Sequence, residues 1–266
     1  MSVQALKRHV VPESGVSRSL VDGWMVSKNW RRKHHLALLL RWRSLFSIIT
    51  TLETFIMDEH KLYQCLLAFQ RLIDIKYHIV LGRAGKSVSF DLTFTEYDCH
   101  HLMGIHYLAD RPDRRSTAKI FEELITSAEF RSHIVSSDFW SRKLVDRIAC
   151  TSILEQLIDD NNTIFHYNSK GATFQTQISA EYLMANFNIP LSEGELRDVY
   201  VFLDKREDSD ERFCRSIFPR TTRDYTIGQP KWTLLYKKKY LPDGTESVLY
   251  QHKGYNPDEQ DDGSKS

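Results

Sequence analysis

Three histidines fall within seven residues, His100, His101 and His106 in the run Asp98-Cys99-His100-His101-Leu102-Met103-Gly104-Ile105-His106. Imidazole, with an unperturbed pKa of about 6.5, is the usual general acid or base near neutral pH. On a helix, successive side chains point about 100° apart, so His100 and His101 cannot both face one reacting atom. Neither pairs with another histidine at i, i+4, which sets a zinc HxxxH site aside. Glu96 with His100 is an i, i+4 acid–histidine pair, too common a spacing to carry weight. His106 shares a helical face with Cys99, Leu102 and Met103 and reads as a core or boundary histidine.

A second segment with chemical content is Arg212–Lys239, where eight Lys and Arg accompany the single acid Asp224. Phe213, Phe218, Tyr225, Trp232 and Tyr236 are interleaved with them. Cations suit phosphates, and rings suit stacked bases. On a strand, Trp232, Leu234, Tyr236 and Lys238 fall on one face and Lys231, Thr233, Leu235 and Lys237 on the other. The aromatic face is then core, and the lysines either contact phosphate or protect a solvated edge strand. Between the strands, Pro219–Pro230 holds Arg220, Arg223, Tyr225, Thr226 and Gln229 with little to bury. It is a solvated loop or a site, since guanidinium forks match phosphate geometry and hydroxyl and amide groups orient it.

Other patterns carry less. The run Asp204–Glu211 lacks EF-hand spacing and reads as a solvated loop. Gly82-Arg83-Ala84-Gly85-Lys86-Ser87 lacks the spacer of a phosphate loop. Cys65, Cys99, Cys150 and Cys214 form no CxxC and read as buried, reduced thiols of a cytoplasmic protein. No metal or cofactor is expected. The 266 residues bear a net charge of +1, which excludes a uniformly basic nucleic-acid binder but not a local basic patch. Arg41, Arg43 and Glu53 interrupt the apolar stretch 36–57, so stable membrane insertion is not expected.

The elements that must position these residues follow from periodicity. Asp58 reads as an N-cap, followed by a helix burying Leu62, Cys65, Leu66, Phe69, Leu72 and Ile73. Period-two alternation over Tyr77–Phe94 around Gly82–Gly85 predicts a hairpin. Thr95 with Asp98 resembles a capping box opening a helix to about Leu108 with Gly104 inside it. Helices from Ser116, near 127–135, and from Asp138 to about Asp160 are expected next. Strands are expected at 163–168, 172–178, 180–187, 198–204, 213–218, 231–240 and 247–252. Helices first and a sheet second is an α+β pattern, with N-terminal helices against a C-terminal antiparallel sheet.

Residues 1–56 carry nine Lys and Arg against three acids, and the first 30 read as poorly ordered. This segment is a basic extension, even an over-extended reading frame, or else residues 35–56 form an ordinary helix on the domain. The expected division is 1–56 extension, 57–255 domain, and 256–266 disordered acidic tail.

The helix, the hairpin, the run Tyr97-Asp98-Cys99-His100-His101-Leu102-Met103-Gly104-Ile105-His106-Tyr107-Leu108 and the later Asp224-Tyr225-Thr226-x-x-Gln229-x-Lys231 together resemble a known family. It is the phage-associated branch of the barnase–EndoU–colicin–RelE-like nucleases. The likeness spans roughly 58–240. It implies a metal-independent endoribonuclease of toxin or phage-conflict type, with RNA as substrate and an antitoxin or immunity protein as partner. Carried over on matching positions, His101, with His100 as alternate, is the acid–base group, and Tyr225, Thr226 and Lys231 join the catalytic set. Gln229 is carried over as a substrate-binding position, and Arg220 and Arg223 join it on the phosphate-matching geometry of their guanidinium groups, Arg220 and Lys231 serving as charge stabilisers. Two other uses of the same sequence stay open: a nucleic-acid- or protein-binding module without chemistry, and an interaction protein of a mobile element whose basic arm holds an acidic partner.

Overall fold

The computed structural model describes residues 18–110, 115–192, 195–207 and 209–259. Six helices are seen among them: α1 (Arg18–Leu72), α2 (Glu96–Met103), α3 (Thr117–Thr126), α4 (Ala128–Val135), α5 (Arg142–Ser152) and α6 (Leu154–Asp159). Eight strands accompany them: β1 (Lys76–Arg83), β2 (Lys86–Leu92), β3 (Thr163–His166), β4 (Tyr182–Ser192), β5 (Glu195–Lys205), β6 (Arg212–Pro219), β7 (Lys231–Tyr240) and β8 (Glu246–Gln251). No helix among the described residues is long and apolar enough to cross a membrane.

The chain divides into two units, Met1–Thr54 and Phe55–Ser266. In the first, Leu45, Phe46, Ile48, Ile49 and Leu52 are exposed. The hydroxyls of Thr50, Thr51 and Thr54 donate to the carbonyls four residues back. Residues 18–30 lie in α1 rather than in the poorly ordered stretch expected there, and residues 1–17 lie outside the described residues. Asp58 is not an N-cap, because with no Gly or Pro across 35–57 the helix is already running when it arrives there. Its carboxylate instead accepts from Trp140 Nε1 at 2.9 Å.

The second unit holds the sheet. Its strand order is β1-β2-β6-β5-β4-β3-β7-β8, and β1 also pairs with β7, which closes the first seven strands into a barrel. The α+β class fits, and the expected C-terminal antiparallel sheet proves to be a closed one that takes in the early hairpin and holds one parallel pair. That pair, β2 with β6, meets only at Leu92 and Arg212. Bulges at Val80/Leu81, Asn186/Ile189 and Phe202/Leu203 supply the coiling that closure requires. The hairpin β1–β2 turns on Ala84 (φ 49°) and Gly85 (φ 77°), both left-handed as a two-residue hairpin loop demands.

Strand alternation separates two cores. Val199, Val201 and Leu203 of β5 join a large cluster with Leu62, Leu66 and Phe69 of α1, Cys99 and Leu102 of α2, and Leu144 and Ile148 of α5. Tyr200 and Phe202 point the other way and join Tyr167, Leu183, Ala185 and Tyr225 in an aromatic core. All four cysteines are free and buried.

Several expected elements are redrawn. The helix over 138–160 is two, α5 and α6, because Thr151 Oγ1 and Ser152 Oγ bond back to Arg147 and Ala149 carbonyls where α5 ends. Residues 172–178 are not a strand; Phe174 and Ile178 pack on the aromatic core while Gln175 and Gln177 between them are exposed. The tail has a short turn at Pro257–Glu259, and residues 260–266 lie outside the described residues.

Strand β7 is not an edge, and two of its lysines, Lys237 and Lys239, are buried rather than solvated. Lys237 is fully buried, donating to the carbonyls of Ile158 (2.5 Å) and Asp160 (2.5 Å) and to Asn162 Oδ1 (3.0 Å) at the end of α6. Burial pulls its pKa down to about 8 against the upward pull of Asp159 and Asp160. Lys239 donates to Glu155 and Asp159, both at 2.8 Å. A bulge between Lys237 and Lys238 breaks the simple alternation the sequence suggested.

Candidate active-site cavity

The site is built around α2. Thr95 N donates to Asp98 Oδ2 at 2.7 Å, starting the helix. Asp98 is buried and also receives Arg206 Nη2 at 2.7 Å, which ties the helix to the chain after β5. The acidic run Asp204–Glu211 is therefore partly structural: Glu211 accepts from Thr93 Oγ1 at 3.0 Å.

Gly104 ends α2 rather than sitting inside it. Its φ is +80°, a left-handed C-cap that glycine adopts without strain, and its N–H donates to His101 O at 3.1 Å. The chain then reverses, and His106 is exposed and folds back onto His101 instead of facing the core. The two imidazoles are parallel, with centroids 4.3 Å apart and planes 7° apart. The ring of Tyr97 lies parallel to His101 at 6.4 Å, and His100 is 6.3 Å from His106.

The cations near this stack depress its protonation. Partial burial, then the neighbouring Arg215 and Arg147 guanidinium groups, hold the His101 pKa below its ordinary value, with Asp98 pulling the other way. Desolvation, then His101 and His100, push His106 down to about 4. His101 is therefore a neutral imidazole at physiological pH, able to accept a proton.

Arg147 comes from α5. Its guanidinium donates to Leu102 O at 3.3 Å and to Ser216 Oγ at 3.4 Å. The rings of Tyr107 and Phe218 lie 5.7 and 5.6 Å from it. Arg215 projects from β6 with its side chain 45% exposed and its nearest acid, Asp204, 3.5 Å away.

These groups open onto a cavity of about 1150 Å³ that also takes in Lys170, Gln175, Arg223 and Tyr225. Four cations face it, Arg147, Lys170, Arg215 and Arg223, and no carboxylate lines it among the described residues. Its far wall, 169–179, is held by local chemistry. Asn168 N donates to Gln229 Oε1 at 2.7 Å, and Gln229 Nε2 donates back to Asn168 O at 3.0 Å. Gly228 (φ +76°) lies beside them, and a Cβ there would stand 2.8 Å from Gly171 O. Arg223 donates to Gln175 O at 3.3 Å and covers the Phe174 ring at 5.1 Å.

Of the residues singled out from sequence, the fold brings His101, Tyr225 and Arg223 to this cavity. Tyr225 is buried, its ring set among Phe174, Tyr200, Phe202 and Phe218. Thr226 and Arg220 instead serve Asp224: Thr226 Oγ1 donates at 2.6 Å, and Arg220 Nη2 pairs at 3.1 Å. Gln229 secures the wall rather than facing the space. Lys231 is exposed on β7 opposite Phe165 and does not line the cavity.

Arg147, Arg215, Tyr107 and Lys170 were not singled out. Arg147 carried one signal, since it occupies a core-type spacing between Leu144 and Thr151, where a charged residue calls for a reason. Among the described residues, no group of three His, Cys, Asp or Glu is placed to hold a metal ion.

A histidine beside guanidinium groups, in a cavity that no carboxylate lines among the described residues, suits contact with phosphate. Residues 61–253 match the phage-Barnase-EndoU-ColicinE5/D-RelE like nuclease4 family, and the chain belongs to that family. Nuclease is its class, and a nucleic acid is the substrate that class implies. No curated protein matches the chain. No solved structure matches it either.

Proposed function

We propose that the protein is a metal-independent endoribonuclease acting in the cavity at His101. The observation that carries this is a neutral imidazole set beside Arg147 and Arg215 in a space without carboxylates. In this mechanism His101 takes the proton of a ribose 2′-hydroxyl, and that oxygen attacks the adjacent phosphorus. The bond from phosphorus to the 5′-oxygen breaks, and Tyr225 supplies the proton that the departing oxygen needs. Arg147 and Arg215 carry the charge of the pentacoordinate phosphate. The products are a 2′,3′-cyclic phosphate and a 5′-hydroxyl.

Arg223 and Lys170 hold flanking phosphates. Thr226, Arg220 and Gln229 act as positioning residues, the first two through Asp224 and the third through Asn168. Neither His100 nor Lys231 is needed. The catalytic domain is 57–255 in this reading, the closed sheet is a variant of the barnase–EndoU–colicin–RelE arrangement, and a toxin or phage-conflict role with an acidic inhibitor protein goes with it.

The test is incubation of purified protein with total RNA, and separately with single-stranded DNA, in excess EDTA. RNA should be cut and DNA spared. His101→Ala should lose ~10²–10⁴-fold in rate, and Tyr225→Phe should lose activity while keeping its circular dichroism spectrum. Cleavage by His101→Ala within tenfold of the parent, or no cleavage by a folded parent, overturns the proposal.

A further inference from the structure

A second cavity, of about 600 Å³, is lined by Tyr97, Asp204, Lys205, Arg206, Glu207, Ser209, Phe213 and Arg215. It shares Arg215 with the first cavity, and the Tyr97–His101 stack spans the two. Its chemistry differs from that of its neighbour. Asp204 and Glu207 stand among its cations and offset most of their charge, so it draws phosphate less than the acid-free first cavity does. It offers two aromatic surfaces. Tyr97 is 62% exposed, so its ring is open to a stacking partner. Phe213 has the Arg206 guanidinium 5.0 Å from its centroid. Arg206 is itself anchored on the buried Asp98, so this platform is rigid.

We infer that this second cavity is a nucleobase subsite, in which Tyr97 and Phe213 stack an unpaired base of a single strand whose phosphate lies at Arg215. The inference rests on the reading of the first cavity as the cleavage site. Two rings lining one space, the mixed donors and acceptors and the shared arginine are what a base next to a bound phosphate requires. A duplex does not fit, because its bases are already stacked and paired. The strand therefore passes from the cation-lined cavity, over Arg215, onto the aromatic ledge.

The experiment separates binding from cleavage. The probe is a fluorescein-labelled ten-nucleotide 2′-O-methyl RNA, which has no nucleophilic hydroxyl, followed by fluorescence anisotropy with the full chain. Tyr97→Ala should weaken binding ~5- to 100-fold, while Tyr97→Phe, which keeps the ring, should bind as the parent does. A matched duplex should bind at least tenfold more weakly than the single strand. Binding by Tyr97→Ala within twofold of the parent, or equal affinity for duplex, overturns the subsite even if RNA is cleaved. If RNA is not cleaved but binding depends on Tyr97, the subsite stands and the catalytic reading falls. If the parent binds neither strand form, both fall.

Discussion

Arg147 is the sharpest point at which to test the chemistry. Two unit charges 4 Å apart interact by about 1 kcal/mol in bulk water and about 4 kcal/mol at the effective dielectric of a protein surface. Arg147 is half-buried against Tyr107 and Phe218, which places it towards the upper figure, whereas Arg215, with its side chain 45% exposed, belongs near the lower. At about 1.4 kcal/mol per decade, Arg147→Met should lower kcat/KM by ~10²–10³-fold and Arg215→Gln by ~3- to 30-fold. The methionine keeps most of the packed stem, and the two hydrogen bonds lost are long, at 3.3 and 3.4 Å, so the stability cost is about 1–2 kcal/mol.

The assay is initial rates on a fluorogenic oligoribonucleotide in EDTA, far below the melting temperature of each variant, from pH 5 to 8. The pH profile gives an independent readout. Because both guanidinium groups hold the His101 pKa down, removing Arg215 lets it rise towards the ordinary value. His101 acts as a base when neutral, so the acid limb of the Arg215→Gln profile should move to higher pH. A folded Arg147→Met within tenfold of the parent, or an Arg215→Gln loss larger than that of Arg147→Met, would refute the reasoning.

Further outcomes follow from the fold. Gly104→Ala should cost about 1–2 kcal/mol from the left-handed backbone, read as a fall in Tm. It should also slow cleavage, because the new Cβ would press on Tyr107 Cδ2 at 3.1 Å and Arg147 Cδ at 3.3 Å. Gln229→Leu cuts both links to Asn168 and loosens the 169–179 wall, so steady-state kinetics should show KM rising more than kcat falls. Lys237→Met leaves three oxygens, that of Ile158 buried, without the ammonium that now donates to them, and should cost about 2–4 kcal/mol in urea unfolding; a loss under 1 kcal/mol would mean water replaces the ammonium. His106 is held neutral in the fold down to about pH 4, whereas the unfolded chain's imidazole takes up a proton below about 6.5. Stability should therefore drop as pH falls from about 6.5 to about 4, and His106→Gln should flatten that slope in urea titrations at pH 7 and pH 5.

How much was legible in the sequence depends on how far apart the interacting groups are. The hairpin at Ala84-Gly85, the Thr95–Asp98 box, the buried spacing Leu62–Leu66–Phe69 and β7 with its bounds all rest on neighbours within a few residues, and local spacing reveals them. So do the residue types that chemistry needs, which is why His101, Tyr225 and Arg223 could be named. Even so, Gly104 read as a helix interior, because a glycine does not announce whether its φ will be positive, and His106 was assigned to the core as a result.

What the sequence determined by itself was the α+β class, most of the elements and two segments whose side chains the fold brings to one cavity. Tertiary structure alone decided that β1 returns to pair with β7 and closes the sheet, because that pairing joins strands far apart in the chain. It also decided that Lys237 caps α6 instead of facing solvent, and that Arg147 of α5 and Arg215 of β6 meet the α2 histidine. The protonation state of that histidine follows from the same meeting, since desolvation and charge act through space and leave no trace in local spacing.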